Sequence, residues 1–131
     1  MKIAPELQRL VVAHARRDAP DECCGIVGLR DGVATEAIAF ANLAASPYRF
    51  EIDGLSLSRE LDRLEDEGQD FAIYHSHTRS EPYPSQTDLN FAANWPGVEW
   101  LIVGVAGGPE ADAVLRSYRI DDGVVTEVGV G

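Results

Sequence analysis

Residues 74–88 read YHSHTRSEPYPSQTD, a His-x-His-x7-Ser-x2-Asp pattern that gathers His75, His77, Ser85 and Asp88 into one short stretch. Its first part reads as the end of a strand. Residues i and i+2 of a strand point to one face, so His75 and His77 can present imidazole nitrogens to the same ion. Beyond the prolines, Ser85-Gln86-Thr87-Asp88 reads as a helix entry, a capping box with Asp in place of the usual Glu or Gln. Asp88, returned by that loop, would add a hard oxygen. Three such ligands leave a fourth tetrahedral position for water, which separates a catalytic zinc from a structural zinc closed by four side chains. The competing reading is purely structural, with Asp88 as a cap and the histidines as an ordinary hydrogen-bonded pair. The two are compatible, because a first helical turn would hold the carboxylate in place with Ser85 Oγ near the water.

A zinc hydrolase also needs a group to take the proton from that water, since the metal lowers its pKa without removing the proton. Glu22 is the candidate. It stands in PDECCGIVGL, just before the apolar run Cys23–Leu29, which reads as a buried strand. A carboxylate at the mouth of such a strand is placed to reach a metal on a neighbouring one. In an acid-rich chain, a solvated surface glutamate is the alternative.

Glu22, His75-Ser76-His77, Ser85 and Asp88 match the JAMM (MPN+) zinc metalloprotease motif position by position, and the resemblance extends over almost the whole chain. Within that family, VVAHARRDAPDECCG (11–25), YHSHTRSEPYPSQTD (74–88) and LRSYRIDDGVVTE (115–127) resemble bacterial JAMM peptidases that release cysteine from a small ubiquitin-like sulfur-carrier protein. The resemblance implies one Zn2+ per chain on His75, His77 and Asp88. It also implies Glu22 as general acid/base, Ser85 as oxyanion stabiliser, and a carrier ending in Gly-Gly as partner. Cys23 departs from the pattern, where a small residue is expected, and leaves the ligand set intact. A general JAMM isopeptidase acting on another ubiquitin-like tail, and a non-catalytic MPN interaction module, are the alternatives within the family. A nucleobase zinc deaminase would need a Pro-Cys-x-x-Cys ligand pair that the chain lacks.

Composition agrees with a protein or small-molecule partner. The 131 residues are expected to form one domain, residues 1–131. A formal charge of −11, from 22 acids against 11 Lys and Arg, repels a phosphate backbone, and no basic run suggests nucleic acid or an anionic membrane. MKIAPELQRL lacks the apolar core of a signal peptide, and no stretch approaches the roughly 18 apolar residues of a membrane span, so a cytoplasmic location is expected. Cys23 and Cys24 are adjacent and point to opposite faces of a strand, which disfavours a disulfide between them; at least one is expected in apolar packing.

Leu7, Leu10, Val11 and His14 predict a first helix from Pro5 to Arg16-Arg17, with His14 packed and hydrogen-bonded on its apolar stripe. Strands are expected at 23–30, 33–41 and 47–52, with Asp31-Gly32 as a turn. Leu57, Leu61 and Leu64 mark a second helix ended by Gly68; its acidic end, Glu65-Asp66-Glu67, reads as a solubilising surface or as a patch facing a partner. Phe71–His77 is then a strand, 86–94 a helix, and 98–106, 113–120 and 124–128 strands. That order predicts an α+β domain, and the JAMM resemblance arranges it as a mixed, curved sheet between helices. The loop 78–84 must border the cleft, which makes Arg79, Glu81 and Tyr83 candidates for substrate contact. Tyr83 between Pro82 and Pro84 is read equally as a residue that shapes the loop.

Overall fold

The computed structural model describes residues 1–131. Helix α1 spans Pro5–Asp18, strands β1 and β2 span Cys24–Arg30 and Val33–Phe40, and α2 spans Gly54–Asp66. Strand β3 (Asp70–His77), helix α3 (Gln86–Ala92) and strands β4 (Glu99–Gly104), β5 (Val114–Asp121) and β6 (Val124–Val128) follow. The six strands form one mixed sheet in the order β2-β1-β3-β4-β5-β6. Only β3 and β4 run parallel, and their connection contains α3. No helix is long and apolar enough to cross a membrane.

Each element follows from a local cause. Pro5 occupies the first turn of α1, where no backbone N–H is needed, and Val11, His14 and Ala15 form its buried stripe. Asp53 caps α2 by accepting from Ser56 N at 3.0 Å, and Leu57 and Leu64 are buried beneath it. The β1–β2 turn has positive φ at both Asp31 (52°) and Gly32 (77°), and the β5–β6 turn repeats this at Asp122 (50°) and Gly123 (75°). Two left-handed residues in succession match the twist of a hairpin, which is why Asp-Gly stands at both turns.

Alternating side chains divide the core between the faces of the sheet. On the α1 face, Val11 and Ala15 pack with Cys23, Val27, Ala72, Tyr74, Leu101 and Val103. On the other, Leu57, Leu64 and Ala92 from α2 and α3 pack with Cys24, Ile26, Ile73, Trp100 and Phe50. The adjacent cysteines are thus in opposite layers, both free and both fully buried. Burial raises each thiol to about 12, so they behave as apolar packing.

The α+β mixed sheet with helices on both faces is the expected architecture, and helix and strand ends shift by one or two residues. One expected element does not form. Residues 47–52 are not a strand, because their backbone polar groups are met from residue 42 onward and not by a neighbouring ladder. Asn42 Nδ2 donates to the Arg49 carbonyl (3.1 Å), Asn42 Oδ1 accepts from Glu51 N (3.0 Å), and Leu43 N donates to Glu51 O (2.9 Å). The alternation of Phe50 and Ile52 reports burial of this loop in the α2 and α3 layer.

Gly25 pairs with Tyr74 across β1 and β3, and the Tyr74 ring lies over it. A Cβ at residue 25 would collide with that ring and with the Ile38 carbonyl oxygen, which belongs to the backbone of β2 and cannot rotate away. Gly25→Ala is expected to destabilise the fold by about 1–3 kcal/mol or more, as overpacking does, when measured by denaturant unfolding. An unchanged midpoint would show that β1 and β2 separate freely at this point.

Candidate active site

The C-terminal end of β3 brings its two histidines to one face, and the first turn of α3 brings Asp88 to meet them. His75 Nε2 lies 3.2 Å from His77 Nε2, and each lies 3.1 Å from Asp88 Oδ2. All three residues are buried, with 0%, 3% and 4% exposure. Sequence spacing predicted this trio, and the structure assembles it.

Neighbouring groups fix each member. His77 Nδ1 is 2.7 Å from the Glu81 carbonyl oxygen, which can only accept, so Nδ1 carries a proton, and whenever the ring is neutral its lone pair is at Nε2, facing the other two members. His75 stacks on Phe50 at 4.9 Å between centroids and meets the edge of Trp100. Asp88 is both cap and trio member: its Oδ2 accepts from Ser85 N (2.9 Å) while Ser85 Oγ accepts from Asp88 N (3.1 Å), a reciprocal capping box. The structural reading of Ser85 and Asp88 therefore holds, and it is compatible with the functional one.

The trio fits a metal ion. A tetrahedral ion with bonds of about 2.0–2.1 Å sets its ligand atoms roughly 3.3 Å apart, close to the observed triangle. Hydrogen bonding alone does not account for it. Three atoms in an equilateral arrangement cannot all make linear hydrogen bonds to one another, and a neutral His77 ring would face the carboxylate oxygen with its lone pair. A shared cation satisfies all three.

Glu22 reaches this group through strand pairing. Cys24 stands opposite His75 in the antiparallel β1–β3 ladder, and extending that register by two residues sets Glu22 opposite His77. The extension is bonded: Ser76 N donates to Cys23 O (3.2 Å), and Ser76 Oγ accepts from Cys23 N (2.8 Å). Glu22 is only 3% exposed, and its Oε1 has no hydrogen-bond partner. It is not the solvated surface residue that its acid-rich context allowed.

Electrostatics separate the two carboxylates. Burial pushes Glu22 up to about 8; nearby His77 opposes this and the Asp88 charge reinforces it. Burial would raise Asp88 as well, but the His75 and His77 imidazoles and the Ser85 N–H outweigh it and hold Asp88 well below the usual carboxylate range. For His77 burial acts downward, and bonds to Asp88 and Glu81 carry the ring above its ordinary value. One carboxyl is thus held ionised beside the imidazoles while the other is poised near neutrality.

The loop residues divide. Glu81 contributes its carbonyl to His77 while its side chain is exposed, and Tyr83 stacks edge-on against Tyr118, whose hydroxyl donates to the Pro82 carbonyl (2.6 Å). Both contacts shape the loop, and the Glu81 side chain and the Tyr83 ring are exposed. Arg79 is exposed and lies over the Tyr48 ring, 5.8 Å from its centroid. Sequence reasoning missed Phe50, Ser76 and Asn42. Phe50 was visible only as an apolar residue in an expected strand, and the other two gave no local signal. His14 is packed as expected, with Nδ1 2.7 Å from the Tyr74 hydroxyl on the opposite face.

A mixed sheet whose central strand ends in His-x-His, met there by the capping aspartate of the following helix, defines a JAMM/MPN domain. The chain belongs to this family: residues 4–121 match the family of prokaryotic homologs of the JAB domain. It is 38% identical over 128 residues to the "CysO-cysteine peptidase" of Mycobacterium tuberculosis, covering 95% of this chain and 86% of that one. It is 35% identical over 115 residues to the "Desampylase" of Haloferax volcanii, covering 82% of each. Its fold matches the crystal structure of a JAB1/MPN domain protein from Archaeoglobus fulgidus with a TM-score of 0.62 at 21% identity, over 99% of this chain and 98% of that one.

The Glu22 carboxyl generates a pH-dependent prediction. An acid whose folded pKa is raised ionises more readily once the chain unfolds, so the fold loses stability as pH rises from the ordinary glutamate range towards about 8. Glu22→Gln removes that loss. In chelator-treated protein its melting temperature should exceed the parent's at pH 8, with little difference at pH 4.5; an equal gap at both would show that Glu22 is not held neutral by burial.

Proposed function

We propose that the chain is a zinc-dependent peptidase that cleaves the amide bond after the C-terminal Gly-Gly of a ubiquitin-like sulfur-carrier protein and releases cysteine. The observation that carries this reading is the buried His75, His77 and Asp88 triangle with an unpartnered carboxyl, Glu22, across the ladder from it. The "CysO-cysteine peptidase" at 38% identity supports the choice of substrate. His75, His77 and Asp88 would hold one zinc, which when bound polarises a carbonyl and lowers the pKa of water towards neutrality.

The chain's own groups do the rest. Glu22, buried and free of competing donors, takes a proton from the attacking water and returns it to the leaving amine. Ser85 Oγ uses its lone pair on Asp88 N, so its O–H proton is left over for the oxyanion that develops on the scissile carbonyl. The "Desampylase" relative supports a second reading, an isopeptidase acting on a different ubiquitin-like conjugate.

His75→Ala, His77→Ala and Asp88→Ala each remove one of three ligands, and each should purify with far less than one zinc per chain by elemental analysis. Full occupancy in all three would end the ligand assignment. For the reaction, purified protein is incubated with a carrier ending in Gly-Gly-Cys and followed by intact mass. Loss of one cysteine residue is expected, and Glu22→Gln should keep its zinc while turnover falls about 10²–10⁴-fold. No mass change with zinc bound would overturn the proposed activity.

A further inference from the structure

The proposed reaction leaves open what distinguishes a terminal residue from a side-chain amine as leaving group, and the loops around Glu22 bear on this. Backbone and side-chain bonds tie two of them to the Glu22 segment. Glu22 N donates to Ser46 O (2.9 Å), and Asn42 Nδ2 donates to Glu22 O (3.0 Å). Thr78 Oγ1 donates to the Pro20 carbonyl (2.7 Å). Tyr48 N in turn donates to Ser46 Oγ (3.1 Å). Across these loops Arg79 lies over the Tyr48 ring, with its nearest polar partner the Tyr48 hydroxyl at 3.5 Å. Arg79 is two residues from His77, and Tyr48 is two residues from Phe50, whose ring stacks on His75. The pair therefore sits at the rim of the site, on the side of Glu22.

Charge bears on this position. The neighbouring surface cleft is lined by Asp18, Asp21 and Glu22, and the cation there, Arg17, is bonded to Asp18 at 3.1 Å. Arg63, Arg116 and Arg119 likewise face acids. In a chain of net charge −11, Arg79 is one of several cations without an acidic partner, and it is held on the aromatic face of Tyr48 with the 3.5 Å approach to the Tyr48 hydroxyl as its side-chain contact.

We infer that Arg79 binds the free α-carboxylate of the residue released, which would make the enzyme selective for a C-terminal amino acid over an isopeptide-linked lysine. The inference rests on the proposed function. The leaving α-amine must lie beside Glu22, which returns its proton, and the carboxylate of the same residue is fixed by covalent geometry roughly 3 Å from that nitrogen. Without a cation, the acids around Glu22 would repel it. In an isopeptide the leaving nitrogen is at the end of a lysine side chain, and no carboxylate lies so close.

The test separates recognition from turnover. Zinc-loaded Glu22→Gln protein, with Arg79 intact or changed to Ala or Lys, is titrated calorimetrically with carrier tails ending in Gly-Gly-Cys as the free acid or the C-terminal amide. With Arg79 intact, the acid should bind about 10-fold more tightly than the amide. Arg79→Ala should abolish that preference by weakening binding of the acid far more than binding of the amide, and Arg79→Lys should keep part of it. Equal binding of acid and amide, or a preference that survives Arg79→Ala, overturns the inference. In parallel, protein with Glu22 present is assayed for cleavage of the acid, the amide and a Gly-Gly-lysine isopeptide. Preference for the acid in binding without cleavage of any of them would sink the proposed function and leave the Arg79 site standing.

Discussion

His75 Nε2, His77 Nε2 and Asp88 Oδ2 are buried within 3.1–3.2 Å of one another, and much of the structure around them keeps these atoms in place. A protonated imidazole or a bound cation supplies the positive charge that the carboxylate calls for, since the ordinary escape, rotation towards water, is closed. Phe50 stacks on one ring, the Glu81 carbonyl fixes the other, and the N-terminal turn of α3 holds the carboxylate. A ligand that binds only the folded state stabilises it by mass action, so a cation here would also be part of the fold's stability.

Glu22 shows the opposite compromise. A buried carboxyl with an unpartnered oxygen is a local defect by the rules of packing, and natural folds keep such defects mainly where chemistry requires them. Hydrogen bonds from Asn42 and to Ser46 are spent on the Glu22 backbone and leave its carboxyl alone. The segment is held firmly while the carboxyl stays free.

How much of this was legible in the sequence depends on range. The trio was legible because both of its signals are local: a strand period of two places His75 with His77, and a capping box returns Asp88 within one loop and one turn. Helix positions followed from leucine spacing and turns from Asp-Gly. Glu22 was a candidate from its place before an apolar run and from the motif, but its position opposite His77 arises from pairing between β1 and β3, which no local pattern encodes. Phe50 was mistaken for a strand residue because apolar alternation reports which side chains are buried, not what satisfies the backbone; here the Asn42 side chain does so. The same long-range pairing explains why Ser76, visible only as the residue between two histidines, gave no sign of its bond to Cys23 N.

Register is what makes that pairing reliable. Alternate residues of β3 serve different layers: His75 and His77 face Phe50 and Asp88, while Tyr74 enters the α1 layer and bonds His14. A slip of one residue would turn the histidines into the α1 layer and Tyr74 out of it. Two contacts oppose a slip between β1 and β3. The Tyr74 ring fits only over a residue without a side chain, Gly25, and Ser76 Oγ takes the Cys23 N–H just beyond the last ladder pair. These contacts lie one residue to either side of His75, and through the pairing they fix Glu22 opposite His77. The placement of Glu22 therefore depends as much on a glycine, a tyrosine and a serine that take no part in the proposed chemistry as on the residues that do.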